Sequence, residues 1–134
     1  MSKKLEHAKH NESVCNFIAH KQDFADWVVI TAFYSAMHFV DHKMFPLPMK
    51  TDDGHRFKLK TIDEYKLFVK SEKDKHSVRV DLVKDKCPLI KAQFFWLYNT
   101  CKTARYMSYE FPKPREIATL AKDNLSAVKK FCDN

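Results

Sequence analysis

A single glycine, Gly54, serves the whole 134-residue chain. An all-β protein needs many tight turns, and the favoured two-residue hairpins depend on residues that tolerate positive φ, glycine first. A chain so poor in glycine but rich in Lys, Leu and Ala is suited to long helices. It is large enough to bury a core without disulfide or metal staples, and 45% of its residues are hydrophobic and 13% aromatic. These features predict an all-α fold, an antiparallel bundle of four to five helices, with residues 1–134 forming a single domain.

The longest apolar run, WVVITAFYSAMHFV at 27–40, has 14 residues and is interrupted by polar groups. A membrane span needs about 20, so the run predicts a core helix and no membrane partner. MSKKLEHAKHNE at the start lacks an apolar leader region. Cys15, Cys87, Cys101 and Cys132 are far apart without a CxxC pair, which predicts buried reduced thiols in a cytoplasmic protein. Lys and Arg outnumber Asp and Glu by 24 to 17 and are spread along the chain. That excess would attract phosphate backbones, and it also serves solubility.

Helices are expected at about 2–20, 24–45, 55–70, 88–107 and 114–132. Asp23 is placed to cap the second, which should end before Pro46 and Pro48. Thr51, Asp52, Asp53 and Gly54 form a loop, and residues 70–75 are charged and solvated. Residues 76–86 are ambiguous: Val78, Val80 and Leu82 alternate like a strand, but a strand without a partner is marginal, which favours an irregular or short helical segment. Pro88 suits a first helical turn, and Ile117, Leu120, Ala121, Leu125 and Val128 give the last helix one apolar face.

On the second helix, at about 100° per residue, Val29, Ala36 and Val40 oppose His38. Thr31, Tyr34, Ser35, His38, Asp41 and His42 gather into one narrow polar seam. A solvated helix face would use Lys and Glu instead. The seam suits a hydrogen-bonded stripe inside the protein, with Asp41 or Tyr34 as partner of His38 and His42 near the surface. It also suits a functional cleft in which His38 titrates near neutral pH. A zinc site from His38 and His42 lacks a third ligand of known spacing, so no metal or other cofactor is expected.

LYNTCKTARYMSYEF at 97–111 supplies a second polar centre. Phe94, Tyr98, Cys101 and Arg105 share one face, with Lys91 and Lys102 beside it. An arginine beside aromatic rings can hold a phosphate while a base stacks. Alternatively, the rings belong to the core and Arg105 pairs with a carboxylate such as Asp41. Asp52 with Asp53 and Asp63 with Glu64 are sequence neighbours that diverge on a helix, so two-metal hydrolysis is not expected, and no glycine-rich phosphate loop exists.

WVVITAFYSAMH (27–38), the following His55-Arg56 and LYNTCKTARY (97–106), in this order, resemble the HEPN superfamily of small helical proteins. The resemblance covers about residues 20–110. It implies an up-and-down bundle of four or five helices, often homodimeric, with polar residues near the dimer cleft. Family roles are metal-independent endoribonucleases, toxins paired with nucleotidyltransferases, and noncatalytic RNA- or nucleotide-binding modules. The family-like polar positions here are His38, His55, Arg56, Arg105 and Tyr106. The chain departs from the active ribonucleases in one respect: no arginine is followed after four to six residues by a histidine. A ribonuclease would have to assemble its pair across the fold.

The resulting expectation is an RNA- or nucleotide-binding protein, with metal-independent RNA cleavage or a toxin-type role as its enzymatic form. His38 and His55 would be acid and base, and Arg56 and Arg105 the charge stabilisers, while Tyr34, Tyr98, Lys102 and Tyr106 would contact the RNA or nucleotide. The expected partners are a second copy of the chain, RNA or a nucleotide, and a cognate protein. The alternative is a noncatalytic helical interaction or regulatory subunit acting through a dimer face.

Overall fold

A computed structural model of the protein describes residues 2–133. It is 73% helical, with six α-helices and one two-stranded sheet among the described residues. In chain order these are α1 (Lys3–Ile18), α2 (Ala25–Met44), β1 (Leu47–Lys50), β2 (Arg56–Leu59), α3 (Ile62–Val69), α4 (Lys75–Lys86), α5 (Lys91–Tyr106) and α6 (Pro114–Cys132). Short 3-10 turns at Gln22–Phe24 and Pro88–Ile90 lead into α2 and α5.

The apolar run makes α2 the centre of the molecule. Its arc holds Val28, Val29, Ala32, Phe33, Ala36, Phe39 and Val40, each at most 2% exposed. Helices α1, α5 and α6 all pack against it. An arc this wide demands cover on several sides, because each large aliphatic or aromatic side chain buried contributes roughly 1.5–3 kcal/mol. From α6, Ala121, Leu125 and Val128 complete the core as the spacing predicted, whereas Leu120 stays exposed. Ala8 is fully buried, so α1 approaches α2 closely enough for Ser35 Oγ to donate a 2.6 Å hydrogen bond to the Ala8 carbonyl.

Two expectations need correction. Asp23 does not cap α2: it lies in the 3-10 turn, and the N-cap position is taken by Phe24 without a side-chain bond. Residues 55–70 are not one helix. Leu47 to Lys50 and Arg56 to Leu59 form an antiparallel hairpin in the register Leu47↔Leu59 and Met49↔Phe57, and α3 begins only at Ile62, capped by Thr61 Oγ1 accepting from the Glu64 amide. The sole glycine makes the hairpin possible: Gly54 has φ +90° in the connecting turn, where its amide donates to the Thr51 carbonyl at 2.9 Å. Few glycines rule out many hairpins, but not one.

The ambiguous segment 76–86 takes the helical option: it lies within the regular helix α4. Asp74 caps it, accepting from the Ser77 amide at 3.0 Å and from Ser77 Oγ at 2.8 Å. The strand-like alternation of Val78, Val80 and Leu82 would require Arg79 between them to face solvent. Arg79 is 2% exposed and belongs to the buried arc with Val78, Val80, Leu82 and Val83. No described helix is long and apolar enough to cross a membrane. All four cysteines are free, three of them buried.

Candidate functional site

The polar seam of α2 is divided among three neighbouring elements. Thr31 turns back on its own helix, donating to the Trp27 carbonyl at 2.7 Å. Ser35 reaches α1. His42 Nδ1 meets Ser2 Oγ at 2.7 Å, so His42 is half-buried and joined to the start of α1 rather than simply on the surface. The His38 ring lies edge-on to His7 with centroids 4.9 Å apart. Burial lowers the His38 pKa below the usual histidine value, and His7 adds to the effect, while Asp41 opposes it. The hydrogen bonds described for Asp41 go to Arg79 and not to His38, one at each oxygen.

That pair is the electrostatic anchor of the site. Arg79 Nε donates to Asp41 Oδ1 at 2.8 Å and Nη2 to Oδ2 at 3.0 Å, with Asp41 only 7% exposed. The parallel two-bond geometry is the strongest form of a guanidinium–carboxylate contact. The third arm of Arg79, Nη1, lies 3.2 Å from His76 Nδ1. Arg105, proposed as a partner of Asp41, goes elsewhere: its Nη1 donates to the Tyr34 hydroxyl, and its guanidinium sits 5.1 Å from the centroid of the Tyr106 ring and 5.7 Å from that of Tyr34.

Between α2, α4 and α5 these contacts enclose a cavity of about 270 Å³. It is lined by Phe33, Tyr34, Asp74, His76, Tyr98, Cys101, Lys102, Arg105 and Tyr106. Phe33 and Tyr98 stand 5.9 Å apart, and His76 lies edge-on to Tyr34 at 6.0 Å. Burial lowers the His76 pKa, and the nearby Arg79 charge lowers it further, which keeps the ring neutral near pH 7. Burial also raises the Tyr34 hydroxyl, against the pull of Arg105. The Cys101 thiol is pushed up to about 11 by burial, so it is a protonated wall and not a nucleophile.

Five of the residues expected at the site from sequence thus share one cavity: Tyr34, Tyr98, Lys102, Arg105 and Tyr106. His38 lines an adjoining cleft of about 500 Å³ with Lys3, Lys4, His7, Asp41, Lys75 and Arg79, and the two spaces share Tyr34 and His76. A third space beside Trp27 and Asp26 shares Tyr34 and Arg105. His55 and Arg56 line none of these three. They lie exposed at the hairpin, where the His55 amide closes the turn onto Thr51 Oγ1 and Asp53 Oδ1. No group of three or more His, Cys, Asp or Glu among the described residues is placed to hold a metal ion.

Comparison with family models, with curated proteins and with solved structures returns no match to this chain. The site therefore has to be read from its own chemistry. Sequence reasoning missed His76 and Arg79, although a signal for them existed. Asp74 followed by Ser77 is a helix-capping pattern, and once a helix starts there His76 and Arg79 fall three apart on one face.

Proposed function

We propose that the protein is a HEPN-like RNA- or nucleotide-binding module, a four- to five-helix bundle with α3 as an added short arm, that takes a nucleotide in the α2–α4–α5 cavity. The observation that supports this most is the meeting of four aromatic rings, Phe33, Tyr34, Tyr98 and Tyr106, with Arg105 and Lys102 in one space of about 270 Å³. Base stacking on an aromatic ring contributes roughly 1–3 kcal/mol per base and tolerates any base. A guanidinium beside the rings supplies charged hydrogen bonds to phosphate, and the formal charge of +7 favours encounter with an anionic chain. In this reading the chain works as a homodimer or beside a cognate protein partner.

In its cleaving form the same site needs a base for the 2′-hydroxyl, an acid for the leaving oxygen and a cation for the phosphorane charge. In this proposal His38, in the adjoining space, takes the proton and returns it to the leaving oxygen, and Arg105 is the cation. His55 and Arg56, away from both spaces, serve RNA held along the hairpin. The test is incubation with a mixed RNA pool in EDTA, together with filter binding over a salt series. Wild type should bind RNA with strong salt dependence, and Arg105→Ala and His38→Ala should each weaken binding or cutting without loss of helicity. Wild-type behaviour of both variants would remove this site.

A second reading, a noncatalytic interaction subunit, draws on Phe17, Phe24 and Trp27, which stand 79%, 51% and 54% exposed around the turn from α1 to α2. Exposed aromatics are what protein interfaces cover. Stable copurification with a protein and no retained RNA would favour it.

A further inference from the structure

Two arginines dictate the hydrogen-bond polarity of the cavity. A guanidinium has N–H donors and no acceptor. The contact between Arg79 Nη1 and His76 Nδ1 at 3.2 Å therefore requires a lone pair on Nδ1. A neutral His76 with Nδ1 accepting carries its proton on Nε2, and that N–H is the polar group the ring has left to offer. The Tyr34 hydroxyl likewise accepts from Arg105, which leaves its own O–H proton to donate elsewhere.

Tyr98 is the opposite case. Ser77 Oγ gives its proton to Asp74 at 2.8 Å, so the 3.3 Å contact between Ser77 Oγ and the Tyr98 hydroxyl is donated by Tyr98. Asp74, the one carboxylate on the wall, is turned towards the start of α4, each of its oxygens receiving one bond from Ser77. Apart from Asp74, the polar groups the cavity offers a guest are therefore largely donors: the Tyr34 O–H, the His76 N–H, the remaining guanidinium hydrogens of Arg105 and the Lys102 ammonium.

We infer that this donor set binds the phosphate group of the guest, with Tyr34 and His76 acting as neutral donors beside Arg105. Such an array is complementary to an oxyanion, whose several lone pairs each take a donor, and mismatched to a group that must itself donate. The inference rests on the nucleotide reading for the rings, but the donor roles of Tyr34 and His76 are set by Arg105 and Arg79. The phosphate can belong to a terminal monoester or to an internal diester of RNA.

Isothermal titration calorimetry at pH 7 with adenosine 5′-monophosphate, adenosine and sodium phosphate tests it. The monophosphate should bind at least tenfold tighter than adenosine. Tyr34→Phe and Arg105→Gln should each reduce that ratio threefold or more with little change for adenosine, and Lys130→Ala, an exposed cation of α6, should leave it unchanged. Equal binding of the monophosphate and adenosine overturns the phosphate inference while the ring platform survives. Binding of phosphate without any contribution from adenosine upholds the donor set and removes the nucleotide reading. No binding of any of the three overturns both. A trinucleotide with a 5′-phosphate compared with its 5′-hydroxyl form then separates the sources: a preference for the former marks the terminal monoester, and equal affinity marks the internal diester.

Discussion

The two arginines that frame the cavity occupy contrasting surroundings. On the α2–α4 side, Arg79 is buried, fixed to Asp41 by two bonds and neutralised by it. On the α5 side, Arg105 is exposed at the mouth among rings, with no carboxylate among the partners described for it. The first contributes its geometry, holding a histidine in one tautomer. The second contributes its charge. The same residue type thus serves the architecture or a ligand according to whether a carboxylate shares its burial.

The largest expected effect comes from breaking the buried side. Asp41→Ala leaves a guanidinium enclosed without its counter-ion, and a loss of about 3–5 kcal/mol is expected in urea unfolding. Asp41→Leu combined with Arg79→Met should lose much less than the two single changes together, because it removes both charges at once. A double variant as unstable as their sum would show that the pair does not act as a unit.

Acid should act more gently and on the same side. The pKa values of His38 and His76 are lowered in the folded protein, so between those values and the usual histidine value the unfolded chain binds more protons. Stability is therefore complete above about pH 6.5 and declines as pH falls through that window. Melting temperatures measured from pH 7.5 to 5 should fall, and His76→Gln should flatten the fall. A flat wild-type profile would remove the burial argument for both rings.

The smallest stability effect belongs to the exposed side. Arg105→Ala should change the unfolding free energy by less than about 0.5 kcal/mol, as surface substitutions usually do. A loss near that of Asp41→Ala would erase the contrast between the two arginines.

The sequence revealed the α5 side of this comparison more readily than the α4 side. Tyr98, Lys102, Arg105 and Tyr106 follow helical spacing within one long segment, so their common face could be read directly, and Tyr34 came from an equally regular helix. The partner of Asp41 could not be read this way. Arg79 lies 38 residues further on, in a segment whose pattern is disguised by the burial of a charged residue. Periodicity assigns arginine to the outside, and here tertiary packing overrules it. The hairpin was missed for a different reason. Asp53-Gly54 between Leu47, Met49 and Phe57, Leu59 is a local turn signal, but the shortage of glycine across the whole chain outweighed it.

Tyr34 forms part of the wall of all three spaces around the site. A guest that turns this ring in one of them reshapes the other two. The free energy of that coupling is reciprocal: whatever occupancy of the Trp27 side does to affinity on the His38 side, the reverse must hold in equal measure. Wherever a guest turns this one phenol ring, the three neighbouring hollows are thermodynamically linked.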